Sequence, residues 1–114
     1  MATILGFTSQ RMTSDEKAKA VAKFSEAIST FYQHYSIYLK TLDQVYSTGS
    51  PDCNLLFDIY VPPATPAEKK ERLVKTLCAT AHSIPQFGEK PVTTLFKYHD
   101  DPACGVDGKM RSDT

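Results

Sequence analysis

A strand, a capped helix and a second strand occur in this chain and then occur again about 52 residues later, and a doubled β-α-β unit leaves few ways to fold. Residues 3–8 (TILGFT) form a short, partly β-branched apolar run suited to a buried strand. Thr13-Ser14-Asp15-Glu16 is a capping box, in which the Thr hydroxyl and the Glu carboxylate satisfy free amides of the first helical turn. From Ser14 to about Phe31, Val21, Phe24, Ile28 and Phe31 recur at spacings of three and four, with Ala20 and Ala27 beside them, which is one face of a helix. Residues 35–42 (YSIYLKTL) read as the second strand.

The order then returns. Residues 55–61 (LLFDIYV) are a strand stopped by Pro62-Pro63, and Thr65-Pro66-Ala67-Glu68 reads as a second capping box with proline at the first helical position. Leu73, Leu77, Ala81 and Ile84, joined by Val74, supply the second apolar helix face, and residues 91–98 (PVTTLFKY) make the fourth strand. A shift of 52 pairs Thr13 with Thr65, Glu16 with Glu68, Lys17 with Lys69 and Lys23 with Lys75. A shift of 57 pairs Lys40 with Lys97 and Asp43 with Asp100. The expected architecture is one α/β (α+β) domain over residues 1–114: two consecutive β-α-β units, about 1–45 and about 54–114, forming a four-stranded sheet with two helices on one face. The other face is expected to stay bare and to carry Tyr38, Phe57, Ile59 and Phe96. Apolar sheet faces seek a cover, so an oligomer is expected.

A length of 114 residues is enough for one core, and 41% hydrophobic with 23% charged residues argues against disorder and coiled coil. Thirteen basic residues balance thirteen acidic ones, which gives no electrostatic footprint for nucleic acid or for an anionic membrane surface. MATILGF has neither the basic start nor the apolar length of a signal peptide, and no stretch approaches the ~18 apolar residues of a membrane span. The odd and scattered Cys53, Cys78 and Cys104 fit a reducing compartment, so a cytoplasmic protein is expected.

Three segments resemble the tautomerase superfamily, in the double-unit subgroups similar to macrophage migration inhibitory factor and cis-3-chloroacrylic acid dehalogenase. Thr8-Ser9-Gln10-Arg11-Met12-Thr13, followed by Lys17 and Ala20-Val21-Ala22-Lys23, resembles the first loop and helix of the dehalogenase. Thr65-Pro66-Ala67-Glu68-Lys69-Lys70-Glu71-Arg72-Leu73-Val74 is similar to helix starts in many tautomerases. Asp101-Pro102-Ala103-Cys104-Gly105-Val106-Asp107-Gly108 resembles the P-A-x-x-G-I-G-G tail of 4-oxalocrotonate tautomerase. The resemblance implies a trimer with sites between neighbouring subunits. It also implies an amino-terminal proline whose nitrogen is the general base, and arginines that bind the substrate carboxylate. Desolvation disfavours the ammonium form, and a guanidinium suits a carboxylate.

This chain begins Met1-Ala2-Thr3, without proline there. With Met1 kept, it stands at the family's proline position and Arg11 falls, without gaps, at the position of a substrate-binding arginine. With Met1 removed, Ala2 presents a primary amine of reference pKa about 7.7–8.0, which burial lowers towards a useful base and which can form a Schiff base with a carbonyl. The family's second arginine has no counterpart in residues 92–98, leaving Lys97 and its repeat mate Lys40 as the cations. Tyr98 is the preferred general acid, near the end of the fourth strand. The catalytic candidates are therefore Ala2, Met1 and Tyr98, and the substrate-binding candidates Arg11, Lys40 and Lys97. No metal is expected: His34, His82 and His99 lack zinc-site spacing, and Cys78 beside the second apolar face reads as core. No cofactor is expected either.

These readings lead to three functions. The first is an isomerase or lyase acting on a small carbonyl, enol or unsaturated-acid substrate, as a homotrimer or hetero-oligomer. The second is a non-catalytic member acting as a binding module or silent subunit. The third is a ferredoxin-like dimeric α+β barrel, which shares the element order and which a central antiparallel pair of first and third strands, with the N-terminus at the surface, would favour.

Overall fold

The computed structural model of the protein describes residues 2–42, 55–100 and 105–110. β1 (Ala2–Thr8), α1 (Ser14–Ser29) and β2 (Tyr35–Thr41) form the first unit, and β3 (Leu55–Val61), α2 (Ala67–His82) and β4 (Val92–Tyr98) form the second. A small hairpin, β5 (Gly105–Val106) and β6 (Lys109–Met110), follows; the sequence reading had no strands there.

The four long strands make one sheet in the order β2-β1-β3-β4. β1 runs parallel to β2 from Ala2↔Tyr35 to Thr8↔Thr41, and β3 runs parallel to β4 from Leu55↔Val92 to Val61↔Tyr98. The units meet antiparallel, with Thr3 opposite Tyr60 and Thr8 opposite Leu55. Contrary to expectation, this central antiparallel pair does not favour the ferredoxin-like fold, because both folds contain it. What separates the folds is whether the helix-linked strands touch. A split β-α-β unit has another strand between them, whereas here β1 lies directly beside β2 and β3 directly beside β4. Ala2 is moreover buried rather than at the surface.

Strand alternation divides the sheet into two faces. Ala2, Ile4, Gly6 and Thr8 of β1 and Leu55, Phe57, Ile59 and Val61 of β3 are buried on the helix side. There they meet Ala20, Phe24 and Ile28 of α1 and Leu73, Leu77 and Ala81 of α2. Phe24 packs edge-on against Phe57, with ring centroids 5.2 Å apart. The expected occupants of the bare face need correction. Phe57 and Ile59 are buried in the helix-side core and Phe96 packs against it, while Tyr38 does lie on the bare side, 59% exposed. The register decides this, because Phe96 pairs with Ile59 and shares its side. The bare face instead carries Leu5, Phe7, Tyr38, Leu56, Asp58, Tyr60, Leu95 and Lys97 by the same alternation.

The first capping box forms as expected: Glu16 N donates to Thr13 Oγ1 at 3.1 Å and Thr13 N to Glu16 Oε1 at 2.8 Å. The second does not. Pro66 occupies the N-cap of α2 with no side-chain cap, and Thr65 Oγ1 donates instead to the Pro62 carbonyl at 2.7 Å. Thr65 is thus one residue too early, closing a turn over the proline pair. Val74 also departs from expectation, being 37% exposed on α2, and Phe87 enters the core from the turn after α2.

Candidate functional site

β1 is seven residues long, so its ends lie about 20 Å apart at about 3.3 Å per residue. The candidate residues divide between those ends. Ala2, Lys97 and Tyr98 are at one end, because β1 is antiparallel to β3 and Val61↔Tyr98 closes the β3–β4 pair. Arg11 and Lys40 are at the other, where Lys40 pairs with Phe7 and Arg11 follows the end of β1. Within one subunit the candidates do not converge on one point. Met1 lies outside the described residues, as do Cys53, Cys104 and the first half (101–104) of the 101–108 segment on which part of the resemblance rests.

Ala2 is fully buried, and its backbone nitrogen donates to the His34 carbonyl at 3.0 Å. A cleft of about 320 Å³ lined by Phe31, Tyr32, Gln33, His34 and Lys69 opens beside that carbonyl. The Lys69 ammonium stands 4.2 Å from the centroid of the Tyr32 ring, and burial pushes the Tyr32 hydroxyl above its ordinary pKa. Arg72 stacks 4.5 Å from the Phe31 ring on the adjoining surface. The sequence reading missed Tyr32, Lys69 and Arg72. Of the three only Lys69 carried a signal, its repeat mate Lys17, because helix position alone does not say which neighbour's ring a cation meets.

At the other end, Arg11, Met12, Thr41 and Leu42 line a cleft of about 380 Å³. Arg11 and Lys40 are both exposed there, and among the described residues neither has an ion-pair partner.

Lys97 and Tyr98 point to opposite sides of the sheet, as neighbours on a strand must. Lys97 Nζ is paired with Asp58 Oδ2 at 3.1 Å and lies 5.4 Å from the Tyr60 ring. The hydrogen bond to Asp58, with Tyr60 adding to it, holds the Lys97 ammonium above its ordinary pKa. Tyr98 is half exposed, and its hydroxyl accepts from Lys70 Nζ at 2.8 Å. The internal repeat makes the contrast between the two lysines instructive. Lys97 has Asp58 within reach, whereas the β1 residue opposite Asp58 is Leu5, so Lys40 finds no carboxylate in the matching place.

Cys78 is half-buried on α2, with its sulfur 3.8 Å from His82 Nε2. Among the described residues no three metal-ligating side chains cluster, and no helix is long and apolar enough to cross a membrane.

No family profile matches this sequence, and no curated protein matches it either. Solved structures do. Pt0534 inactivated by 2-oxo-3-pentynoate superposes with a TM-score of 0.80 at 13% identity, over 97% of this chain and 98% of that one. The wild-type fused 4-OT asymmetric trimer gives a TM-score of 0.77 at 16% identity over 97% of each chain. The macrophage migration inhibitory factor-like protein of Entamoeba histolytica gives 0.65 at 16% identity, over 96% of this chain and 97% of that one. The fold of this chain is the tautomerase-superfamily fold.

Proposed function

We propose, from the tautomerase-superfamily fold, that the protein is an isomerase or lyase that moves a proton on a small carbonyl, enol or unsaturated-acid substrate without a proline base. The observation that carries this reading is the start of β1, where the Ala2 nitrogen is buried on the His34 carbonyl beside a cleft bearing Lys69 and Tyr32. A terminal amine at Ala2 would lose solvation there, which disfavours its ammonium form and leaves a lone pair for proton abstraction or imine formation. Lys69 supplies positive charge for a substrate carboxylate or a developing enolate. Tyr98 is the general acid of this reading once freed from Lys70.

Arg11 and Lys40 are about 20 Å away in the same subunit, so in this reading they serve a site completed by a neighbouring copy in a homotrimer or hetero-oligomer. Their lack of acidic partners among the described residues favours both cations as binders of a carboxylate. Lys97, already paired with Asp58, is the weaker candidate for that role. A cytoplasmic location agrees with the three scattered cysteines.

The test uses two measurements. Turnover of phenylpyruvate, 2-hydroxymuconate and 3-haloacrylates is compared between the parent and Ala2→Pro, with intact mass reporting which residue comes first. The parent is then treated with 2-oxo-3-pentynoate, the inactivator named for Pt0534, and the adduct is located by peptide mass spectrometry. An adduct on the Ala2 amine, together with turnover, is expected. A second reading, a silent binding subunit, draws on the same hydrogen bond, since a nitrogen held by His34 is also one removed from chemistry. It predicts no adduct and no turnover in the parent, with tautomerase activity gained by Ala2→Pro.

A further inference from the structure

The two units differ on the outer surface of their helices. On α2, Glu71 and Lys75 stand one turn apart and form an ion pair of 2.9 Å. The shift of 52 carries those positions to Lys19 and Lys23 of α1, so the first unit has two ammonium groups where the second has an acid and a base. Like charges one turn apart oppose a helix instead of supporting it. Among the described residues neither Lys19 nor Lys23 has an ion-pair partner.

Both lysines line a cavity of about 330 Å³ between α1 and the turn after α2, within the size range of small-molecule pockets. Its floor is apolar, made by the buried Ala20 and Ile84 beside Pro85. The hydrogen bond from Gln86 to Glu16 spans the same cavity. Glu16 Oε1 accepts from Thr13 N and Oε2 from Gln86, so both carboxylate oxygens are engaged within the chain. Glu16 precedes Lys23 by seven residues, about 10 Å along the helix axis. The cavity therefore has an acidic end at Glu16 and a basic end at Lys19 and Lys23.

We propose that this cavity binds a small monocarboxylate with a compact apolar body. The body lies on Ala20, Ile84 and Pro85, and the carboxylate accepts from the Lys19 and Lys23 ammonium groups. A single negative charge relieves the repulsion between the two lysines, and the apolar floor supplies the rest of the binding. A dianion fits less well, because its second charge would lie towards Glu16. The cavity shares no lining residue with the cleft beside Ala2, so this site is separate from the proposed reaction and does not rest on it.

Benzoate titrated into the ¹⁵N-labelled full chain at neutral pH is expected to give saturable shifts of the Ala20, Ile84 and Gln86 amides. The double variant Lys19→Gln with Lys23→Gln is expected to bind about 10- to 100-fold more weakly, the loss of hydrogen bonds to charged groups, with the rest of the amide spectrum preserved. Lys75→Gln, at the repeat mate of Lys23, should leave binding unchanged. Benzamide, which has the shape without the charge, is expected to bind the parent as weakly as benzoate binds the double variant. Acetate, which has the charge without the ring, should give no saturable shift of the Ile84 amide. Shifts confined to His34 and Lys69 would place benzoate in the cleft beside Ala2 and overturn the inference. So would benzamide binding as tightly as benzoate, or benzoate binding the double variant as tightly as the parent. Because no turnover is read, failure of the proposed reaction leaves this inference standing.

Discussion

Thr13 and Glu16 satisfy each other's backbone amides at the start of α1, and Glu16 also accepts a hydrogen bond from Gln86 in the turn after α2. Thr13→Ala is expected to cost about 1 kcal/mol in urea unfolding. These hydrogen bonds, led by that from the Thr13 backbone, hold the Glu16 carboxyl below its ordinary range. A depressed carboxyl contributes stability that is fully present above its unfolded pKa and is lost as pH falls through the folded one. Acid titration of Thr13→Ala against the parent should therefore show the stability difference shrinking below about pH 4. At the other functional extreme, Arg11→Ala is expected to lower kcat/KM by about 10- to 100-fold on a carboxylate substrate, the loss of one hydrogen bond to a charged group. A similar loss on an uncharged ketone substrate would argue against carboxylate binding. The capping residues could be read from the sequence because their partners are three residues away. Tyr32, Lys69 and Asp58 could not, because their neighbours come from distant elements.

At the scale of elements, Gly6 sets how closely β1 can approach its surroundings. A Cβ there would stand 3.0 Å from Phe57 Cε1, 3.2 Å from Leu39 Cδ1 and 3.3 Å from the Tyr38 carbonyl oxygen. Phe57 is held in turn by Phe24 of α1, so the ring has little room to retreat. Gly6→Ala is expected to destabilise by about 1–3 kcal/mol, read from the urea midpoint at constant slope. Helix existence and strand existence were legible from periodicity, and so was the turn after β3. The second capping box was not, because Thr65 and Glu68 have the right spacing while the proline between them moves the N-cap by one residue. The hairpin had a sequence signal, the Asp107-Gly108 dipeptide, which the resemblance of the tail to a known pattern obscured.

At the scale of the whole molecule, the two units share a sheet that the described residues cover on one side only, so folding and assembly are expected to be coupled. The thermal midpoint of the parent should then rise with protein concentration, as binding of a partner to the folded state requires. Leu95→Glu should remove that dependence. A midpoint constant over a hundredfold range of concentration would show that the subunit is complete by itself. The same architecture separates the candidate residues, with Ala2, Lys97 and Tyr98 at one end of the sheet and Arg11 and Lys40 at the other. A site that uses both sets can exist only where the ends of different copies meet.

The sequence by itself determined the doubled β-α-β order, the extent of its four strands and two helices to within a few residues, and the family resemblance. Those depend on local periodicity, caps and breakers, which act over one to four positions. Tertiary structure decided which side of the sheet each strand residue occupies, and it did so through register. Phe57, Ile59 and Phe96 went to the core and Asp58 and Leu95 to the bare face because adjacent strand residues point to opposite sides and paired residues to the same one. It also decided that, among the described residues, Lys97 has an acidic partner while Lys40 has none, a difference set by Asp58 in β3 against Leu5 in β1. Two units similar in sequence pattern thus become unlike in charge only after the strands are paired.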